Sequence, residues 1–132
     1  MSRRVRLFLF LSGFWIFFAW GFRLVVLYRR WGTDPSWARA LVLASFYFLV
    51  GGFLISLGRL GSQANRRHYV ALIVSSLFII GHWTVKLLTL ALYPDIDPNP
   101  RSHLHLAATF LVMGILLLGM GVKGRRNAIV SS

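Results

Sequence analysis

The chain has no cysteine and no glutamate, and its only acids are Asp34, Asp95 and Asp97. Without cysteine there are no disulfides, thiolate metal sites, iron–sulfur clusters or cysteine nucleophiles. With every aspartate outside the long apolar runs, the sequence offers no paired carboxylates in the membrane and no embedded carboxylate of the kind proton-coupled export uses. It also lacks a Gly-rich phosphate loop and a nucleophile motif. Ser75 and Ser76 lie near His82, but no acid is at hand to orient the base. The expectation is a protein that is not an enzyme.

What is present is apolar. Hydrophobic residues make up 57% and aromatics 15% of 132 residues, and the mean hydropathy is +0.67. A soluble chain of this length would need far more polar surface, so a polytopic membrane domain is expected. The formal charge of +12 would suggest nucleic acid in a soluble protein. Here the basic residues flank apolar runs, which makes a bilayer with anionic headgroups the expected partner and nucleic acid an unexpected one.

Four runs are long enough to span a hydrocarbon core of roughly 30 Å: Leu7 to Tyr28, Ser36 to Leu57, Tyr69 to Leu92 and His103 to Val122. MSRRVR followed by LFLFLSGFWIFFAW resembles a signal peptide. The run is too long, lacks a small-x-small cleavage site and is followed by Arg23, so a retained helix is expected. One side of the membrane would carry Arg3, Arg4, Arg6, Arg59, Arg66, Arg67, Lys123, Arg125 and Arg126. The other would carry Arg29, Arg30, Arg39 and Arg101 with all three acids. That bias predicts both termini in the cytoplasm, with Tyr28, Trp31, Trp37 and Tyr93 as an outer aromatic belt. Arginine outnumbers lysine 13 to 2, a trait of GC-rich bacterial genomes, and a bacterial inner membrane is the expected location.

An ungapped shift of 63 residues superposes the chain on itself. It pairs Arg3-Arg4 with Arg66-Arg67, Ser12 with Ser75, Ile16 with Ile79, Trp20 with Trp83, Arg23 with Lys86, and Asp34-Pro35 with Asp97-Pro98. It continues through Ala44 and Ala107, Gly51 and Gly114, Leu54 and Leu117, Gly58 and Gly121, and Gly61 and Gly124. The matched positions 9, 12, 16, 20, 23, 24 and 27, and then 41, 44, 51, 54, 58 and 61, advance in steps that keep them on one helical face. Small residues on that face allow close approach, so it is the expected seam. The predicted fold is an all-α membrane protein with four transmembrane helices, arranged as two tandem helical-hairpin repeats (1–63 and 64–126) and a short polar tail, 127–132. Two spans per copy preserve orientation, which implies a pseudo-two-fold axis along the membrane normal.

Candidate site residues follow from what the repeat explains and what it leaves over. Asp34 and Asp97, each before a proline, suit N-caps. Arg23 and Lys86 would lie one to two turns from the outer boundary, able to snorkel outward or to bind an anion or lipid headgroup. All four histidines, His68, His82, His103 and His105, fall in the second copy, whereas nine of eleven phenylalanines fall in the first. His82 follows Gly81 near mid-span, which makes it a candidate axial ligand for haem iron or a chlorin magnesium, set against a structural histidine bonded across a helix interface. His103 and His105 are a weaker cofactor contact at the outer boundary. The sequence requires no cofactor and names no metal site. The leading expectation is a non-catalytic accessory or scaffold subunit of a larger inner-membrane complex, contacting other membrane subunits or further copies of itself. The alternatives are a haem- or chlorophyll-contacting subunit using His82, and a small carrier or anionic-lipid-binding protein using Arg23 and Lys86.

Overall fold

The computed structural model describes residues 1–29, 37–93 and 100–131, with side chains over 103–127 in the last stretch. Among the described residues there are four α-helices and no strand. They are α1 (Arg3–Arg29), α2 (Trp37–Leu60), α3 (Arg66–Leu92) and α4 (Pro100–Ser131), with a 3₁₀ turn at Gly61–Gln63 after α2. All four carry stretches long and apolar enough to cross a membrane. At 1.5 Å per residue, the 27 residues of α1 span about 40 Å, more than the hydrocarbon alone demands.

The helices therefore outrun the apolar runs at their basic flanks. Hydropathy marks the stretch that can sit in hydrocarbon, whereas the backbone ladder continues as long as the residues favour helix, and arginine does. The effect is largest in α4, which continues to Ser131 through the stretch expected to be a polar tail.

Two compact units divide the chain at Ala64 and Asn65, and each is an antiparallel helical hairpin. In the first, α1 and α2 approach most closely at Gly13 and Gly51. A Cβ placed on Gly13 would stand 2.8 Å from the Gly51 carbonyl oxygen, and one on Gly51 would stand 3.2 Å from that of Gly13. Nearby, Trp20 stacks on Tyr47 with ring centroids 4.4 Å apart and planes at 15°. In the second hairpin Trp83 stacks on Phe110 at 4.8 Å and 14°. A Cβ on Gly51 would touch Ile16 at 3.3 Å, and one on Gly114 would touch Ile79 at 3.2 Å. Gly58 faces Arg6 and Phe10, and Gly121 faces Tyr69 and Ile73. Every partner in the second hairpin stands 63 positions after its counterpart in the first.

The buried set matches most of the expected seam, with three corrections. Leu9, Ile16, Trp20, Ala44, Leu54 and their counterparts Leu72, Ile79, Trp83, Ala107 and Leu117 are all buried. Ser76, rather than Ser75, is the buried serine of α3; it stands at the position of Gly13, and its hydroxyl donates to the Leu72 carbonyl at 2.7 Å. Arg23 is exposed, because a guanidinium gains nothing from a dry interface without an acid in it. Leu41 and Leu104 face outward as well.

Local chemistry closes the ends. Asn65 caps α3: its side-chain oxygen accepts from the Arg67 and His68 backbone N–H groups at 3.0 and 3.3 Å, while His68 Nδ1 accepts from the Asn65 N–H at 3.1 Å. Such reciprocal caps satisfy otherwise orphaned amides and contribute about 1 kcal/mol. At the end of α2, Arg6 Nε donates to the Gly58 carbonyl at 2.9 Å, and Gly61 leaves the helix with φ +57°, the left-handed conformation glycine adopts without cost. Hydroxyls along the spans bond one turn back within their own helices: Ser45 to Leu41, Thr89 to Val85 and Thr109 to His105, each at 2.9 Å. Hydrocarbon offers no partner, so this internal bond lets an outward hydroxyl sit in a membrane.

Candidate functional site

The polar positions singled out in the sequence are divided between the two hairpins. His82 is half-buried on α3. Its ring lies 6.3 Å from Phe78 at 10° and meets the Trp83 indole edge-on at 5.1 Å and 66°. The neighbouring Gly81 is exposed, and a Cβ there would find nothing within 4 Å. The Trp83 N–H is buried and makes no hydrogen bond. His103 is half-buried and His105 exposed, both in the first turn or two of α4. Because Trp83 packs on Phe110, His82 is about level with Phe110. His103 lies seven residues nearer the start of α4, roughly 10 Å along the axis. The two imidazoles do not share a depth, and no cluster of three metal-ligating side chains occurs among the described residues.

Arg23 lies over the Trp20 ring, 6.0 Å from its centroid. The ring's negative face attracts the cation, by about 0.5–1 kcal/mol at an exposed site. Lys86 stands three residues after Trp83 as Arg23 does after Trp20, and is half-buried. Asp34 and Asp97 lie outside the described residues, so the expected caps and their pairing with Arg23 or Lys86 have no counterpart to describe.

The outward face of α1 is more distinctive. Leu11, Phe14, Phe18, Phe22 and Val25 form one helical stripe, and Phe14, Phe18 and Phe22 are 59%, 70% and 66% exposed. The same stripe of α3, 63 residues on, reads Val74, Leu77, Gly81, Val85 and Leu88, and all five are exposed. The phenylalanine bias of the first hairpin thus splits in two. Phe17 stacks on Phe48 at 5.4 Å and Phe10 packs on Gly58, inside the hairpin, while Phe14, Phe18, Phe22 and Phe46 point away from it.

No protein-family model, curated protein or solved structure matches the chain. Function has to be argued from these surfaces alone. Sequence reasoning missed Tyr47 and Phe110 as the stacking partners of the tryptophans, since the two are similar rather than identical under the shift. It also missed the Arg6 cap. The Asn65–His68 cap had a legible signal, a capping residue followed three positions later by a side chain able to reach back.

Proposed function

We propose that the chain is a non-catalytic accessory or scaffold subunit of a larger membrane complex, docking through the outward face of α1. The observation that carries this reading is the Phe14–Phe18–Phe22 ridge set against Leu77–Gly81–Val85 on the matching face of α3. Lipid contact alone gives no reason for the two faces to differ, because lipid accepts aliphatic and aromatic side chains alike. A protein partner does, since large rigid rings offer much contact area with little conformational freedom to lose. The recurrence of seam contacts 63 residues apart supports an origin by tandem duplication of one hairpin, after which one copy became a docking face. An even number of spans per copy and the distribution of arginine support both termini in the cytoplasm of a bacterial inner membrane.

The experiment places a photoreactive phenylalanine analogue at Phe18 in one preparation and at Val85 in another, in native membranes. The expected result is a protein adduct of discrete mass from position 18 and lipid adducts from position 85. Lipid adducts alone from position 18 defeat the docking reading. The conservative Phe14→Leu/Phe18→Leu/Phe22→Leu variant is expected to abolish the protein adduct made by an analogue at the flanking Val25, without moving the thermal midpoint.

A second reading has one observation of its own: the open space at Gly81 beside the half-buried His82 imidazole would admit a flat macrocycle. When bound, such a group would supply visible absorption and redox or light-harvesting chemistry, and His82 would be the residue that holds it. Visible spectra of the protein purified in mild detergent, with and without His82→Ala, decide the matter. A Soret or chlorin band lost on substitution selects this reading, and a colourless wild type rejects it.

A further inference from the structure

We propose that the end of the second hairpin, where α3 begins, is a binding site for the phosphodiester headgroup of an anionic phospholipid. The inference rests on the membrane assignment and is independent of what docks on α1. Its basis is the juxtaposition of Arg66, Arg67, Lys123, Arg125 and Arg126, all exposed.

The packing register puts these cations at one height. Ile79 is level with Gly114, and Gly124 lies against the Tyr69 ring. The helices run antiparallel, so stepping two residues back from Tyr69 and two on from Gly124 brings Arg67 level with Arg126. One further step brings Arg66 level with Asn127. The five cations therefore fall within a band of roughly 6 Å at 1.5 Å per residue. The positive end of the α3 dipole lies in the same band. In the sequence, the 27 helical residues of α3 separate Arg66 and Arg67 from the two acids of the following connection. Like charges within one such band repel one another, and a bound anion relieves that repulsion.

The first hairpin has the same Arg-Arg start but is arranged differently. Arg6 stands where the second hairpin has Tyr69, and its guanidinium is used locally, donating to Gly58 and packing on Gly61. There α2 ends at Leu60, so the chain level with Arg3 and Arg4 is the uncharged Gln63–Ala64. In the second hairpin glycine at 124 remains helical, with Tyr69 packed against it, and α4 runs on to carry Arg125 and Arg126 past the point where α2 stops. Tyr69 adds a hydroxyl at headgroup depth, as interfacial tyrosines do. A phosphodiester fits this set: it is anionic, it is held at the membrane surface, and its oxygens accept from several guanidinium groups at once.

The test uses the full chain reconstituted in phosphatidylcholine vesicles carrying trace spin-labelled phosphatidylglycerol or spin-labelled phosphatidylcholine. Electron paramagnetic resonance reads the motionally restricted fraction of each. At low salt the wild type is expected to select phosphatidylglycerol by about fivefold for each cation engaged. Arg66→Gln/Arg67→Gln and Arg125→Gln/Arg126→Gln are each expected to remove most of that selectivity. Arg3→Gln/Arg4→Gln, which subtracts the same charge from the first hairpin, is expected to leave it largely intact. Two separate double variants guard against misfolding of either, with helical circular dichroism as the check. Equal losses from the two hairpins would overturn the proposal, because selectivity would then follow net charge and not a site. Absence of selectivity in the wild type would also overturn it. Displacement of the labelled lipid by millimolar inorganic phosphate would reassign the site to free phosphate and reject the lipid.

Discussion

Gly13→Val is expected to destabilise the first hairpin by about 3 kcal/mol or more, while Gly21→Val leaves it within about 0.5 kcal/mol of the wild type. The two glycines sit eight residues apart on the same helix and differ in what a side chain would meet. At Gly13 the first added carbon already falls 2.6 Å from Ile55 and 2.8 Å from the Gly51 carbonyl oxygen. Ile55 can rotate, but a backbone oxygen moves only if the helices separate. Separation forfeits the dispersion contacts along the seam, and in lipid no solvent-exclusion force draws the helices back together. At Gly21 nothing lies within 4 Å, so the valine enters open space. Reversible unfolding in mixed detergent micelles, followed by tryptophan fluorescence, measures both. Coincident midpoints for the two variants would show that α1 and α2 do not approach closely at Gly13.

Removal of the tryptophans is the second large effect. Trp83→Ala is expected to cost about 3–5 kcal/mol, and Trp20→Ala a similar amount. Each indole is 5% exposed and stacked on one ring of the facing helix, Phe110 or Tyr47. Alanine leaves a cavity in a seam that lipid tails cannot fill without parting the helices. The stacked geometry contributes about 0.5–1.5 kcal/mol beyond area, which a Trp83–Phe110 double-mutant cycle isolates. Trp83→Phe is expected to cost less than half as much as Trp83→Ala. It keeps a ring against Phe110 and removes a buried N–H that has no acceptor, and such a donor itself carries a penalty of about 1–3 kcal/mol. The same unfolding assay reads this, and a Trp83→Phe variant as unstable as Trp83→Ala would mean that the indole nitrogen is bonded.

The helical class and the four spans were legible because they depend on composition and length. A run of about twenty apolar residues has one stable form in hydrocarbon, since every backbone amide must be bonded within the segment. The seam was legible in part. Periodicity alone did not show it, because α1 and α2 are nearly as apolar on one side as on the other. The positions identical under the 63-residue shift, among them Leu9, Ile16, Trp20, Gly51 and Gly58, supplied the missing asymmetry. These five are buried in both hairpins because a seam tolerates fewer residues than a lipid-facing surface.

Tertiary packing decided the rest. A comparison of identities passes over Tyr47 and Phe110, yet they occupy equivalent places against Trp20 and Trp83. It favours Ser75, identical to Ser12, over Ser76, which corresponds in sequence to Gly13 and is the residue turned inward. It places Arg23 on the seam face, whereas the guanidinium folds outward onto an indole. It gives no hint that Arg6 would be used at the end of α2 while its counterpart Tyr69 leaves the second hairpin's cations free of that role. The sequence by itself determined that this chain forms helices long and apolar enough to cross a membrane, and which residues recur. Which side of each helix is closed, and which polar groups remain for other partners, only the tertiary structure decided. Lipid is as apolar as the helix interface, so hydrophobicity cannot distinguish inside from outside, and shape alone makes that choice.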